Sequence, residues 1–459
     1  MLRANKKIIL ILILASMIPR LITLHLMTHY DYDTPGIMAI EAENFKRLSL
    51  NILKYNTFSK EINDNPRPDN YMPPLYPLFY LLFVYFDIPY YVISIVQNIL
   101  FTITVLTVYF LGRKIFREKT VRLAALLMAL EPNSAFYTNF FHAQAIYYPV
   151  FTPAVLLTLD WLKTESRRSL YFTSFFLGIA ALIKPVIIAI FPIIGLAIIF
   201  NHQSFKKTAY TLAMCAIIFA AIISPWLIRN RVSLGTWQFS SISDINLYGS
   251  NVHLFRQFFD IKEEPILPEN YTPPVNDDGY RIETTKARGI AAKNFIKKYL
   301  FKYAAFHILY SPRIFIQDQY SDIIQMFSSK PLLSVSLDFY TQLAKFNLGR
   351  LLKDVRKLML NPAFLVYIGG KLIWLTITMA TFWSLHQFFK TDNPAEKRVI
   401  MFSLIFLLWY ALIFSPVGRA GYRTPVNFLM FLLSLEFFFL PLCQWFTLKA
   451  KTGPAPSLN

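Results

Sequence analysis

Apolar runs follow one another through this chain, parted by short charged connections: Ile8 to Met27, Tyr90 to Leu111, Val121 to Phe140, Ala145 to Leu162, Ser169 to Ile183, Val186 to Phe200, Thr208 to Ile228, Lys371 to Phe389, Val399 to Phe414 and Pro425 to Phe446. A helix needs about twenty residues to cross a bilayer, so these runs read as about ten transmembrane helices. Composition agrees. Of the 459 residues 55% are hydrophobic and 17% aromatic, and the mean hydropathy of +0.41 is too high for a soluble protein of this length. The first run contains Pro19 and Arg20 and lacks a small-residue cleavage site, so it reads as an uncleaved span with a cytoplasmic N-terminus rather than a signal peptide. Cys215 and Cys443 lie inside apolar runs, which argues against a disulfide framework.

A formal charge of +19 raises the question of nucleic acid. The cations occur as short clusters between the runs, with no separate basic domain interleaved with aromatics, so they orient a polytopic protein and no nucleic-acid partner is expected. The run Leu75 to Phe86 is too short to cross and is expected to be re-entrant or interfacial. With that run excluded, Arg113-Lys114 with Arg117 and Lys119, Lys163 with Arg167-Arg168, and Lys206-Lys207 all fall on the cytoplasmic side. Both termini are then cytoplasmic, and a bacterial plasma membrane is the expected location.

The outer side collects a first loop at 28–89, the connection from Glu131 to Gln144, Lys184-Pro185 and the turn around Arg229-Asn230. Three sections result: spans 1–230, an outer-face region 231–362, and C-terminal spans with a short cytoplasmic tail in 363–459. Ile37 to Tyr55, Ala304 to Ile316 and Leu343 to Leu360 have the spacing of amphipathic helices lying on a membrane surface. The expected fold is an all-α polytopic bundle with interfacial helices in its outer loops.

No Walker motif, glycine-rich dinucleotide loop, His-Glu-x-x-His or Cys-x-x-Cys occurs. What the outer loops do contain is carboxylates and isolated cations. Asp31, Asp33, Glu41 and Glu43 follow the first span; Arg67, Asp69 and Tyr71 precede the double proline Pro73-Pro74; Lys184, Arg229 and Arg423 stand at span ends. Such a set suits a lipid-linked phosphate donor: cations hold the departing phosphate while one carboxylate takes the proton of an attacking hydroxyl.

These residues resemble a family. Asp33-Thr-Pro-Gly with Ala42-Glu43-Asn44, Met72-Pro-Pro-Leu-Tyr-Pro77, Leu111-Gly-Arg113-Lys-Ile-Phe116, Ala181-Leu-Ile-Lys184-Pro185, Pro225-Trp-Leu-Ile-Arg229-Asn230 with Gly235, and Tyr422-Arg423-Thr-Pro425 together resemble the GT-C superfamily of polytopic glycosyltransferases. The branch holding protein O-mannosyltransferases and lipid A aminoarabinose transferases is the most similar. The likeness covers residues 1–250 well and the rest loosely. It implies a GT-C-like bundle, a polyprenyl-phosphate sugar donor, an outer-face lipid, glycan or protein acceptor, Asp33 as general base, and Lys184, Arg229 and Arg423 as phosphate contacts. One departure stands out: relatives carry an acid at the start of the fourth span, where this chain has His142-Ala-Gln144. No cofactor is required, though a divalent metal stays open, with Asp31, Asp33 and His142 as candidate ligands.

Plainer readings exist for each residue. Asp31 or Asp33 would cap the following helix, Glu41 and Glu43 would be solvated, and Lys184, Arg229 and Arg423 would be interfacial anchors. A multi-pass transporter or flippase is the alternative function. Against it stand the few charges at mid-depth and the absence of paired broken helices in two matching halves.

Overall fold

The computed structural model describes residues 5–29, 37–61, 63–201, 204–272, 281–320, 323–324, 342, 345, 347–359, 364–415 and 420–452. Among these residues all regular structure is helical. Seven helices are long and apolar enough to cross a membrane: Lys6–Thr28, Tyr91–Gly112, Gln144–Thr164, Phe205–Leu234, Phe364–Lys390, Pro394–Phe414 and Ala420–Trp445. The chain is an integral membrane protein.

The count of about ten spans is where structure and sequence part. The run Val121 to Phe140 does not form one helix. It divides into a helix, Glu118–Leu130, and a single short turn, Pro132–Tyr137, with Glu131 between them. The cause is local: Pro132 has no N–H and forces the preceding residue out of helical geometry, and Glu131 is extended, with φ −65° and ψ 118°. Its carboxylate then accepts from the N–H groups of Asn133 (3.1 Å) and Ser134 (2.7 Å), capping the new turn. Two further expected spans form helices of 15 residues each, Arg167–Ala181 and Ile187–Asn201, which at 1.5 Å per residue are only about 22 Å long.

The first loop agrees with its pattern. Ile37–Tyr55 is a helix whose Phe45 and Leu48 are buried; Phe45 meets Tyr76 edge-on at 4.4 Å, and the Ser49 hydroxyl donates to the Pro77 carbonyl at 2.8 Å. Leu75–Tyr85, 11 residues, starts directly after the double proline and is too short to span. The expected piece Ala304 to Ile316 is interrupted at Ser311-Pro312, leaving Leu300–Tyr310 and Arg313–Ile316. Residues 252–310 also carry a small core of their own around Phe255, Phe258, Phe295 and Phe306.

Contacts sort the connections into two ends. At one, Arg113 pairs with Glu118 at 2.6 Å, Arg117 with Glu436 at 2.8 Å and Arg398 with Glu165 at 3.2 Å, while Lys163 donates to the Ile115 carbonyl at 2.6 Å. The basic connections at 113–119, 163–168 and 390–398 therefore meet. At the other end the Leu75 N–H donates to the Leu182 carbonyl at 3.0 Å, Arg229 reaches the Asp69 carbonyl at 2.6 Å, and Gln144 bonds to Gly421. The loops that carry the candidate residues converge there. Gly235, at φ +66°, ends the 30-residue helix Phe205–Leu234 in a left-handed conformation suited to glycine.

In a Cys215→Ser, Cys443→Ser background, cysteines placed at the exposed positions Lys119 and Ser233 are expected to react with an impermeant maleimide from opposite sides of sealed vesicles. Labelling of both from one side would overturn this division of the loops.

Candidate functional site

Three groups of side chains build the end of the bundle opposite the basic connections. The first ties the first loop down. The Asp69 carboxylate accepts from the backbone N–H of Lys60 (2.8 Å) and of Tyr71 (2.9 Å). Arg229 donates to the carbonyls of Asp69 (2.6 Å) and Phe58 (3.1 Å) and lies 5.0 Å from the Trp226 ring centroid and 5.3 Å from that of Phe58. Asn70 and Tyr71 extend the seam, since the Ser241 N–H donates to Asn70 at 3.0 Å and the Ser240 hydroxyl to the Tyr71 carbonyl at 2.7 Å. Arg229 is thus a brace between the first loop and the helix that ends at Leu234.

The second group surrounds Lys184, in the turn between Arg167–Ala181 and Ile187–Asn201. Its ammonium lies 5.4 Å from the ring centroid of Tyr147 and 5.5 Å from that of Tyr422, close enough for each ring face to attract it. The Tyr410 hydroxyl holds the Tyr422 carbonyl at 2.7 Å. Gln144 and Tyr147 share one face of their helix, three residues apart. Both are buried, and Gln144 Oε1 and the Tyr147 hydroxyl are without a hydrogen-bond partner among the described residues. Buried polar atoms are normally paired. Leu75 and Leu182 join this group to the first.

The third group lies deeper. Arg20, about 21 Å along the first helix, is fully buried and donates to the carbonyls of Ser16 (2.8 Å) and Ala129 (2.7 Å) and to the Ser134 hydroxyl (2.8 Å). Arg423 is equally buried, its guanidinium 3.4 Å from the centre of the Trp374 ring. It donates to the carbonyls of Ile314 (3.3 Å), Phe315 (3.0 Å) and Gln317. Glu131 receives the Tyr320 hydroxyl at 3.4 Å. Tyr320 in turn accepts from the Trp374 indole at 2.9 Å, and Lys371 pairs with buried Asp318 at 3.2 Å. Gly421 lets the last span approach, because a Cβ there would lie 2.5 Å from the Tyr137 ring.

Of the residues singled out from sequence, Lys184 is at the centre of the second group, and Asp69, Tyr71 and Arg229 form the first. Arg67 is exposed beside Asp69, its N–H donating to Glu61 at 3.0 Å. Arg423 does not stand at the surface; it is locked among carbonyls. Glu43 pairs with Arg47 at 3.0 Å on the outside of its helix, an exposed pair of small energetic weight. The His142 ring nitrogen accepts from the Gln144 N–H at 3.1 Å and so helps start that helix. Asp31 and Asp33 lie outside the described residues. Among the described residues no three His, Cys, Asp or Glu side chains are grouped to hold a metal.

Glu131, Arg20 and the Asp318–Lys371 pair were not singled out as site residues from sequence. Their signal is an ionisable residue inside an apolar run, which in a membrane protein is costly and therefore meaningful. They also qualify the argument against transport from scarce mid-depth charge. Such charges exist here, and each is immobilised by carbonyls, hydroxyls or an ion pair.

The sequence profile described as dolichyl-phosphate-mannose-protein mannosyltransferase matches residues 72–228. No curated protein matches the chain. Two solved structures are similar in shape. The archaeal oligosaccharyltransferase AglB from Archaeoglobus fulgidus, in complex with an inhibitory peptide and a dolichol-phosphate, aligns at 14% identity and a TM-score of 0.46 over 97% of this chain and 52% of its own. ArnT from Cupriavidus metallidurans, bound to undecaprenyl phosphate, aligns at 11% identity and 0.42 over 96% and 79%. The chain spans about half the length of the first.

Burial pushes the Asp69 carboxyl up from its ordinary 3.8 to about 6, against the opposing pull of two N–H donors, Lys60 and Arg229. A carboxyl raised in the folded state favours folding when protonated, so its contribution is full below pH about 4 and is lost as pH rises through about 6. The stability difference between wild type and Asp69→Asn, measured by thermal unfolding in detergent, should therefore shift towards wild type by about 2–3 kcal/mol between pH 7 and pH 4. A pH-independent difference would show that Asp69 ionises normally.

Over residues 72–228, which include the Lys184 turn, the chain carries the sequence pattern of the dolichyl-phosphate-mannose-protein mannosyltransferase family, in agreement with the GT-C resemblance of its motifs.

Proposed function

We propose that this protein is a membrane glycosyltransferase that moves a sugar from a polyprenyl-phosphate donor to an acceptor hydroxyl on the outer face of the membrane. The observation that carries the reading is the Lys184 group: a cation held over two tyrosine rings at a helix end, beside two unpartnered buried polar atoms, within the stretch that matches the family profile. An ammonium there meets a phosphate whose lipid tail lies among the apolar helices. It stabilises the charge that gathers on the phosphate oxygen as the bond to the sugar breaks.

In the proposed step the acceptor oxygen bonds to the anomeric carbon from the face opposite the phosphate. The carbon–oxygen bond to phosphate breaks, and its electron pair leaves with the phosphate. The acceptor's proton passes to a carboxylate, and the anomeric configuration inverts. Asp33 is the proposed base; it lies four residues before Ile37, where the first loop's helix begins. Arg229 and Arg423 contribute as braces that hold the first loop and the segment 314–317 around the site.

Asp33→Asn keeps a capping oxygen and removes the base. Loss of a base costs about 10² to 10⁴ in rate, loss of a cap about 1 kcal/mol of stability. The variant should therefore insert normally and lose nearly all transfer from a radiolabelled polyprenyl-phosphate sugar, while Asp31→Asn retains a substantial part. Transfer by Asp33→Asn at near the wild-type rate would move the base elsewhere.

Lys184→Ala should weaken donor use about tenfold or more, the scale of one hydrogen bond to a charged group, and Lys184→Arg should restore part of it. Donor dependence unchanged in Lys184→Ala would reduce Lys184 to an interfacial anchor.

A further inference from the structure

Beside the Asp69–Arg229 brace, residues 60–69, the end of the helix Phe205–Leu234 and the first turn of Ile282–Lys298 enclose a cleft of about 330 Å³. Small-molecule pockets run from about 300 to 1,000 Å³, so it has room for a sugar-sized ligand rather than a large one. Its charged lining is Lys60, Arg67 and Arg281 facing Glu61, Asp69 and Glu283. Among the described residues no aromatic side chain lines it, and the apolar share is Pro68, Leu234 and Ile282.

Much of this lining is held in place. Asp69 is fixed by two backbone N–H groups and Glu61 by the N–H of Arg67, and the Lys60 ammonium lies 4.7 Å from the Tyr71 ring centroid. The cleft is also tied to the Lys184 group, because the chain from Asp69 runs on through Tyr71 to Leu75, which bonds to Leu182.

The lining discriminates between ligand classes. An anion would meet three carboxylates, a cation three basic groups, and a lipid tail almost no apolar wall. A peptide would be expected to use an aromatic or aliphatic anchor pocket or an exposed strand edge, and this lining provides none. A ring of hydroxyl groups fits, because each hydroxyl both donates and accepts: carboxylates accept its hydrogen bonds, and guanidinium and ammonium groups donate to its oxygen.

We propose that this cleft binds a saccharide. Resting on the glycosyl-transfer reading above, that saccharide is the acceptor, which makes the acceptor a glycan rather than a protein or a lipid tail.

The test is saturation-transfer NMR on the full chain in nanodiscs with a panel of methyl glycosides of glucose, galactose, mannose and N-acetylglucosamine. At least one glycoside is expected to bind wild type and to bind the Arg281→Gln, Glu283→Gln double variant about tenfold more weakly. Undecaprenyl phosphate binding by the double variant reports that it is folded. The proposal is overturned if no glycoside binds wild type, if the double variant binds equally well, or if inorganic phosphate or an acidic peptide binds in the cleft instead. Glycoside binding by a protein that transfers no sugar would keep the cleft and remove only its role as acceptor site. Sugar transfer to a glycan that is unaffected in the double variant would keep the glycosyl-transfer reading and remove the cleft as its acceptor site.

Discussion

In apolar surroundings an interrupted helix leaves N–H and C=O groups that water cannot reach, and at residues 130–132 the Glu131 carboxylate meets that need. One oxygen takes the N–H of Asn133 and the other that of Ser134, while the Ala129 carbonyl is taken by Arg20. A buried carboxylate would itself be costly if unpaired. Here it also receives a tyrosine hydroxyl, and Arg20 holds the Ser134 hydroxyl in the turn it caps. The break in the expected span and the buried Arg20, which looks out of place within a helix, therefore explain one another.

From that centre the architecture of the site follows. Arg423, stacked on Trp374, collects three carbonyls from residues 314–317 and so pins that segment against the last span. Asp318–Lys371 and Tyr320–Trp374 extend the pinning by a few residues. Arg229 does the same for the first loop through Asp69 and Phe58. An arginine suits this task, since its planar fork presents several donors at fixed angles and stays charged when buried. Lys184 is different in kind: a compact ammonium over two rings, next to polar atoms that the described protein does not satisfy. It is the cation proposed to meet the donor phosphate.

Local pattern made much of the fold legible. Hydrophobicity and length identify the membrane helices; the spacing of Phe45 and Leu48 identifies the first loop's helix, whose observed bounds, Ile37–Tyr55, are those of the pattern; the double proline marks the start of Leu75–Tyr85. The basic connections at 113–119, 163–168 and 390–398 meet at one end. The break at Glu131-Pro132 was also local, an acid before a proline within an apolar run, but hydropathy averages over both residues and passes across it.

What sequence alone determined is the membrane class of the chain, its helical content and which loops share an end, because each of these depends on residues within a turn or two of one another. What only the tertiary structure decided is the work of each charged side chain. Arg423 meets carbonyl partners more than a hundred positions earlier, and Arg229 the carbonyl of Asp69, 160 residues away, partners that no local pattern announces. A cation's role is set by which acceptor can satisfy it once water is excluded, and that acceptor is chosen by packing rather than by sequence neighbourhood.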